Sequence, residues 1–150
     1  ALMAGLQVLP YRTDRLVVLM PDDHPLADAA ALKFADIAAF DLVGPQKGSY
    51  LNSLVLRAAA DLDRPLRLPI RVNGFETVRS MVEARLGIGL VPEHHAARYV
   101  SVAPLRAVPL DEDWAIRRWS ICVREAPSLP RPVQLLVRHL STRRLAEAQE

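Results

Sequence analysis

Cysteine occurs once in this 150-residue chain, at Cys122. That excludes a disulfide framework and makes a reducing compartment the expected home. Long hydrophobic runs are missing as well. No apolar stretch approaches the roughly 20 residues a membrane span needs, and the N-terminus lacks the basic start and apolar core of a secretion signal. A soluble, cytoplasmic protein without membrane contact is the expectation. Charge of one sign is equally scarce: 19 basic residues against 17 acidic ones leave a formal net charge of +2. Arg117-Arg118 and Arg143-Arg144 are the longest basic clusters, too short for a nucleic-acid footprint. The chain contains no internal repeat and no low-complexity tract.

Enzyme patterns are absent too. A nucleophile needs a base and an orienting group within hydrogen-bonding reach, and no serine sits in a nucleophile elbow. His94 and His95 are adjacent, so they diverge at a helix start and lack a third ligand at a metal spacing. His24 lies in a proline turn and is expected to be exposed; His139 falls on the polar side of the last helix. Cys122 lies in a strand where Trp119, Ile121 and Val123 alternate with Ser120 and Cys122, and packing is its expected role. Gly87-x-Gly89 follows a helix instead of a strand, and there is no phosphate-binding loop, so neither nucleotide fingerprint is present. No catalytic residue, metal ligand or cofactor is expected.

What the chain does have is a pattern over residues 68–99, LPIRVNGFETVRSMVEARLGIGLVPEHHAARY. Residues 70–72 are a short branched-apolar run, broken by the turn pair Asn73-Gly74. Asn73 can cap the helix that follows, with Glu76 reaching back. Val78, Met81, Val82 and Leu86 recur at helical spacing, while Arg79, Glu83 and Arg85 take the other face. Gly87 is expected to stop this helix, residues 88–91 to form a buried strand, and Pro92 to end it before another helix start. Such a strand-helix-strand crossover is the unit of a parallel sheet covered by helices. Its helix N-terminus favours an anion or a polar ligand group.

Along the rest of the chain, residues 6–9 predict a short strand ending at Pro10, and residues 16–20 a buried strand. A turn over 21–25 leads to a helical turn over 26–31, one or two more over 34–40, and a strand over 41–44. Pro45-Gln46-Lys47-Gly48-Ser49 then opens a helix in which Leu51, Leu54, Val55, Ala58, Ala59 and Leu62 share a face, with Ser49 as its N-cap. Residues 114–124 predict a strand, 127–132 a proline-rich turn, and 133–145 a closing helix with Val133, Leu136, Val137, Leu140 and Leu145 largely on one side. The two strand-loop-helix junctions, at 44–52 and 72–77, are informative together. In an open parallel sheet, ligands sit outside the carboxyl ends of the strands, where such loops converge.

These segments carry a resemblance. GFETVRSMVEARLGIGLVPEHHAARY resembles the most characteristic stretch of the effector-sensing domain of LysR-type transcriptional regulators. DRLVVLMPDDHPLA, LKFADIAAFDLVGPQKGSYLNSLV, WSICVRE and PRPVQLLVRHL stand in that family's order and spacing, so the resemblance covers essentially the whole chain.

The resemblance implies an α/β, two-lobed, periplasmic-binding-protein-like (type 2) fold, with mostly parallel central sheets flanked by helices. A small-molecule effector, an organic or aromatic acid among the candidates, would sit in the cleft between lobes. Residues 1–40 and 115–150 would form a partial lobe I, and 41–114 lobe II. The family's first strand-helix-strand portion and its winged helix-turn-helix DNA-binding domain have no counterpart in this sequence. DNA contact would therefore run only through that N-terminal domain, and self-association would give a dimer or tetramer. Effector contacts carried over to this chain are Pro45, Gln46, Ser49 and Tyr50 at the first junction, and Asn73, Phe75 and Thr77 at the second. Core packing is the competing role for Phe75, and capping alone for Ser49 and Asn73. Arg85 stands where the family often has glycine; a helix one residue longer is the expected accommodation. The alternative function on the same fold is a stand-alone solute-binding protein.

Overall fold

The computed structural model describes residues 5–124 and 129–147, with the side chains of the last helix described as far as Thr142. The chain divides into two compact units, one holding residues 15–116 and the other joining the segment up to Asp14 to the chain from Arg117 onward. Residues 15–40 thus pack with 41–114, where the lobe boundaries drawn from sequence had put them with the C-terminal segment.

Residues 16–20 hold the centre of the larger unit. Leu16, Val17, Val18, Leu19 and Met20 are each at most 2% exposed. Strand alternation sends Leu16, Val18 and Met20 to one face and Val17 and Leu19 to the other. An apolar run without polar interruption is the mark of a strand covered on both sides. This strand, β1 (Leu6–Pro21), has β4 (Ile88–Pro92) and β5 (Leu105–Pro109) antiparallel on its two edges, Val18 opposing both Leu90 and Val108. Beyond β4 the sheet turns parallel: β2 (Leu42–Pro45) pairs with β4 and with β3 (Ile70–Val72), giving the order β3-β2-β4-β1-β5.

Helices α1 (Phe34–Ile37) and α2 (Tyr50–Ala60) cover one face through Phe34, Ile37 and Val55. Helices α3 (Phe75–Glu83) and α4 (Glu93–Val100) cover the other through Val78, Val82, Ala96 and Tyr99. The close seating of α3 depends on Gly89, because a Cβ there would collide with Val78 Cγ1. The expected face of α2 is realised: Leu54 and Val55 are buried and Leu51, Ala58, Ala59 and Leu62 half-buried.

Several local expectations change. Residues 6–9 and 16–20 belong to one continuous strand, since Pro10 lies in its exposed half, where a missing N–H is tolerated. Residues 26–31 stay as turns held by single bonds such as Ala27 N–H to His24 O at 2.9 Å. Helix α3 stops at Glu83, four residues before Gly87 and two before the longer end expected from Arg85. Arg85 adopts the left-handed conformation at φ 62°. Its N–H donates to Val82 O at 2.9 Å and that of Leu86 to Met81 O at 3.0 Å, the bond pair that closes a helix C-terminus with a reversed residue. Leu86 therefore leaves the helix and is 46% exposed instead of joining the apolar stripe.

In the smaller unit β6 (Ile116–Arg124) pairs with β1, and α5 (Arg131–Glu147) closes the chain. A 3-10 turn over Asp113–Ala115 replaces the expected first residues of β6. Asp14 and Arg117 form a buried ion pair through two bonds of 2.6 Å, and the Trp119 indole donates to the same carboxylate at 3.0 Å. Cys122 is exposed, not packed: Arg117, Ile121 and Val123 take the more buried face of β6, and Cys122 alternates to the other. On α5, Val133, Val137 and Leu140 are half-buried, but Leu136 is 56% exposed. Residues 127–128 of the proline turn, and the side chains of Arg143, Arg144 and Leu145, lie outside the described residues.

Candidate functional site

Strands β2 and β3 are parallel neighbours, with Gly44 opposite Arg71 and Pro45 opposite Val72. Both strand-loop-helix junctions consequently leave the same edge of the sheet, one leading into α2 and the other into α3. Between them lies a cavity of about 210 Å³. Its walls are mainly apolar: Leu42, Val43, Leu51, Val55, Leu68, Val72, Val78 and Leu90, with Pro45 and Phe75 at the junctions. Its polar groups are Gln46, Ser49 and Asn73. An apolar hollow with a few convergent polar groups is the usual form of a small-molecule site.

Five of the seven sequence-derived residues meet here: Pro45, Gln46, Ser49, Asn73 and Phe75. Tyr50 is 62% exposed and does not line the cavity. Thr77 is half-buried on α3 and also outside the lining. The roles divide differently from expectation. Ser49 does cap α2, its Oγ accepting from Asn52 N–H at 3.1 Å. Asn73 does not cap α3; that position belongs to Gly74 at φ 83°, a conformation open to glycine at little cost. With Gly74 as the half-in residue, Asn73 falls outside the helix and is exposed at the cavity mouth. Glu76, expected to reach back to the cap, is instead paired with Arg79 at 3.2 Å. Helix α3 therefore begins without a side-chain acceptor. Phe75 both lines the cavity and packs against the core face of α3 and α4, with its ring centroid 5.1 Å from that of His95.

Sequence reasoning missed the brace that joins the two junctions. Asn52, on the first turn of α2, is only 6% exposed. Its Oδ1 accepts from Arg71 Nη1 at 2.5 Å, and the same nitrogen donates to Pro45 O at 3.3 Å. One guanidinium thus ties β3 to both β2 and α2. The available signal was Arg71 itself, a cation in the middle of an otherwise branched-apolar three-residue strand.

The architecture matches solved structures closely. It superposes on the Synechocystis PCC6803 CcmR regulatory domain in complex with 2-PG with a TM-score of 0.81 at 20% identity, covering 93% of this chain and 67% of that one. On the effector-binding domain of QuiR in complex with shikimate the TM-score is 0.77 at 16% identity, covering 95% and 67%. At those identities the likeness speaks for the fold, which is the type 2 periplasmic-binding-protein-like one. Among curated proteins, an uncharacterized HTH-type transcriptional regulator of Methanocaldococcus jannaschii is 25% identical over 124 residues, 81% of this chain and 42% of that protein. The RuBisCO operon transcriptional regulator of Allochromatium vinosum is 25% identical over 119 residues, 79% and 39%. The chain thus spans about two fifths of the length of these two relatives. The family model for the LysR substrate binding domain matches residues 2–144, and the chain belongs to that family.

Proposed function

We propose that this chain is the effector-sensing part of a LysR-type transcriptional regulator, and that the cavity between the β2–α2 and β3–α3 junctions takes part in holding a small-molecule effector. The observation that carries the reading is the convergence of Pro45, Gln46, Ser49, Asn73 and Phe75 on one apolar hollow at the carboxyl ends of two parallel strands. The unit of residues 15–116 is then lobe II, and the unit containing β6 and α5 contributes to lobe I. A non-enzymatic role, a cytoplasmic location, dimer or tetramer formation and DNA contact through a separate domain come with the reading. The curated relatives are transcriptional regulators, which favours sensing over stand-alone solute binding. The ligands named for the CcmR and QuiR structures make a small metabolite the natural class here too. Binding acts by favouring one arrangement of lobes and subunits over another.

The test is thermal melting across a panel of small organic and aromatic acids, amino acids and sugars. A compound present at 100 times its dissociation constant adds about 2.7 kcal/mol, a rise of several degrees for a chain of this size. The rise should vanish in the double variant Ser49→Ala, Phe75→Ala. A rise of the same size in that variant, or no rise with any compound, counts against the site.

A further inference from the structure

Against the apolar cavity lies a second, shallow hollow lined by Gln46, Lys47, Arg71, Val72 and Asn73. Gln46, Val72 and Asn73 belong to both, so the two share a rim. The second hollow brings two cations to that rim, and neither hollow is lined by an aspartate or a glutamate. Among the described residues neither Arg71 nor Lys47 takes part in an ion pair, whereas Arg67, Arg79, Arg85 and Arg117 all do.

The hold on Arg71 is the telling feature. Its partner is the buried amide of Asn52, at 2.5 Å, and a backbone carbonyl. An amide orients a guanidinium without neutralising it. Nη1 is engaged, leaving the Nε and Nη2 donors of a planar fork that suits a carboxylate or phosphate. Fixing the fork in advance also removes part of the ordering cost of binding.

We infer that the ligand of this site carries an anionic head, a carboxylate or a phosphate, on a short apolar body. The body occupies the cavity walled by Val55, Leu68, Val72 and Phe75. The head lies at the shared rim, on the Arg71 guanidinium and the Lys47 ammonium. This rests on the cavity being the effector site, and it names the class of ligand that site selects.

Three probes of similar size separate the possibilities: benzoate, phenyl phosphate and the neutral benzamide, titrated calorimetrically into the wild type, Lys47→Gln and Arg71→Gln. At least one acid should bind about tenfold or more tightly than benzamide, since a fork left without its anion is a substantial loss. Arg71→Gln should weaken that acid by about tenfold and Lys47→Gln by a few-fold, with benzamide unmoved in both. Whichever acid binds better identifies the head. Lys47 is exposed, so Lys47→Gln carries the test alone if Arg71→Gln fails to fold. Benzamide binding as tightly as the acids, or acid binding indifferent to Lys47→Gln, overturns the inference and leaves the cavity reading standing. Failure of all three probes to bind overturns both.

Discussion

Arg85 stands in the left-handed region at φ 62°, and its guanidinium forks onto the Asp23 carboxylate, Nη1 to Oδ1 at 2.8 Å and Nη2 to Oδ2 at 3.0 Å. An unfavourable backbone position and an ion pair 62 residues apart in sequence are therefore carried by one residue. Through the ion pair, the Asp23 pKa lies below its ordinary 3.8 and that of Arg85 above its ordinary 12.5. The backbone and the side chain can be separated by substitution. Arg85→Gly and Arg85→Ala both delete the pair, but only alanine keeps a Cβ in the left-handed turn. Arg85→Gly should be the more stable of the two by about 1 kcal/mol, measured by urea unfolding. Asp23→Ala should lower the melting temperature of the wild type and leave that of Arg85→Ala unchanged. Equal stability of the glycine and alanine variants would show that the turn relaxes without strain.

Acid should act on the two units in different pH windows. Burial tends to raise the Asp14 carboxyl, but the hydrogen bonds from Arg117 and Trp119 and the charges of Arg117 and Arg12 outweigh it, leaving it below its ordinary 3.8. A folded value below the unfolded one gives stability that is present above the unfolded value and lost as pH falls through the folded one. Asp14→Asn should be less stable than wild type at neutral pH, with the gap closing below pH 3.8. For His24, burial pushes the ring below its ordinary 6.5 despite the Asp23 charge, and Leu26 N–H donates to its Nδ1 at 3.2 Å. Here the unfolded chain takes the proton first, so stability declines as pH drops from 6.5 to the folded value. NMR titration of the ring checks this directly; a midpoint at or above 6.5 would contradict it.

Gly89 offers a packing prediction free of charge effects. The β4 backbone is covered there by Val78 and Val82 of α3, and a methyl group meets Val78 Cγ1 at once. Gly89→Ala should destabilise the chain by about 1–3 kcal/mol, the usual range for overpacking. The pairing variant Gly89→Ala, Val78→Ala should recover much of that loss. An unchanged denaturation midpoint in the single variant would mean that α3 shifts outward freely.

The sequence by itself determined which segments become strands and helices, because periodicity and caps are local. The run at 16–20, the crossover from β3 through α3 to β4, and the Ser49 cap were all legible from residue type and spacing. So was the family, since its characteristic segments lie intact along the chain. Tertiary structure decided what depends on partners distant in sequence. Asn73 lost the cap to Gly74 once the turn took a positive φ, and α3 ended early because Arg85 accepted a left-handed backbone where two distant segments meet. Residues 15–40 joined the larger unit because β1 supplies a strand between β4 and β5, a pairing no local pattern encodes. The Asn52–Arg71 brace has the same origin: an amide on a helix and a cation on a strand, each unremarkable alone, become a shared rim only when β2 and β3 lie side by side.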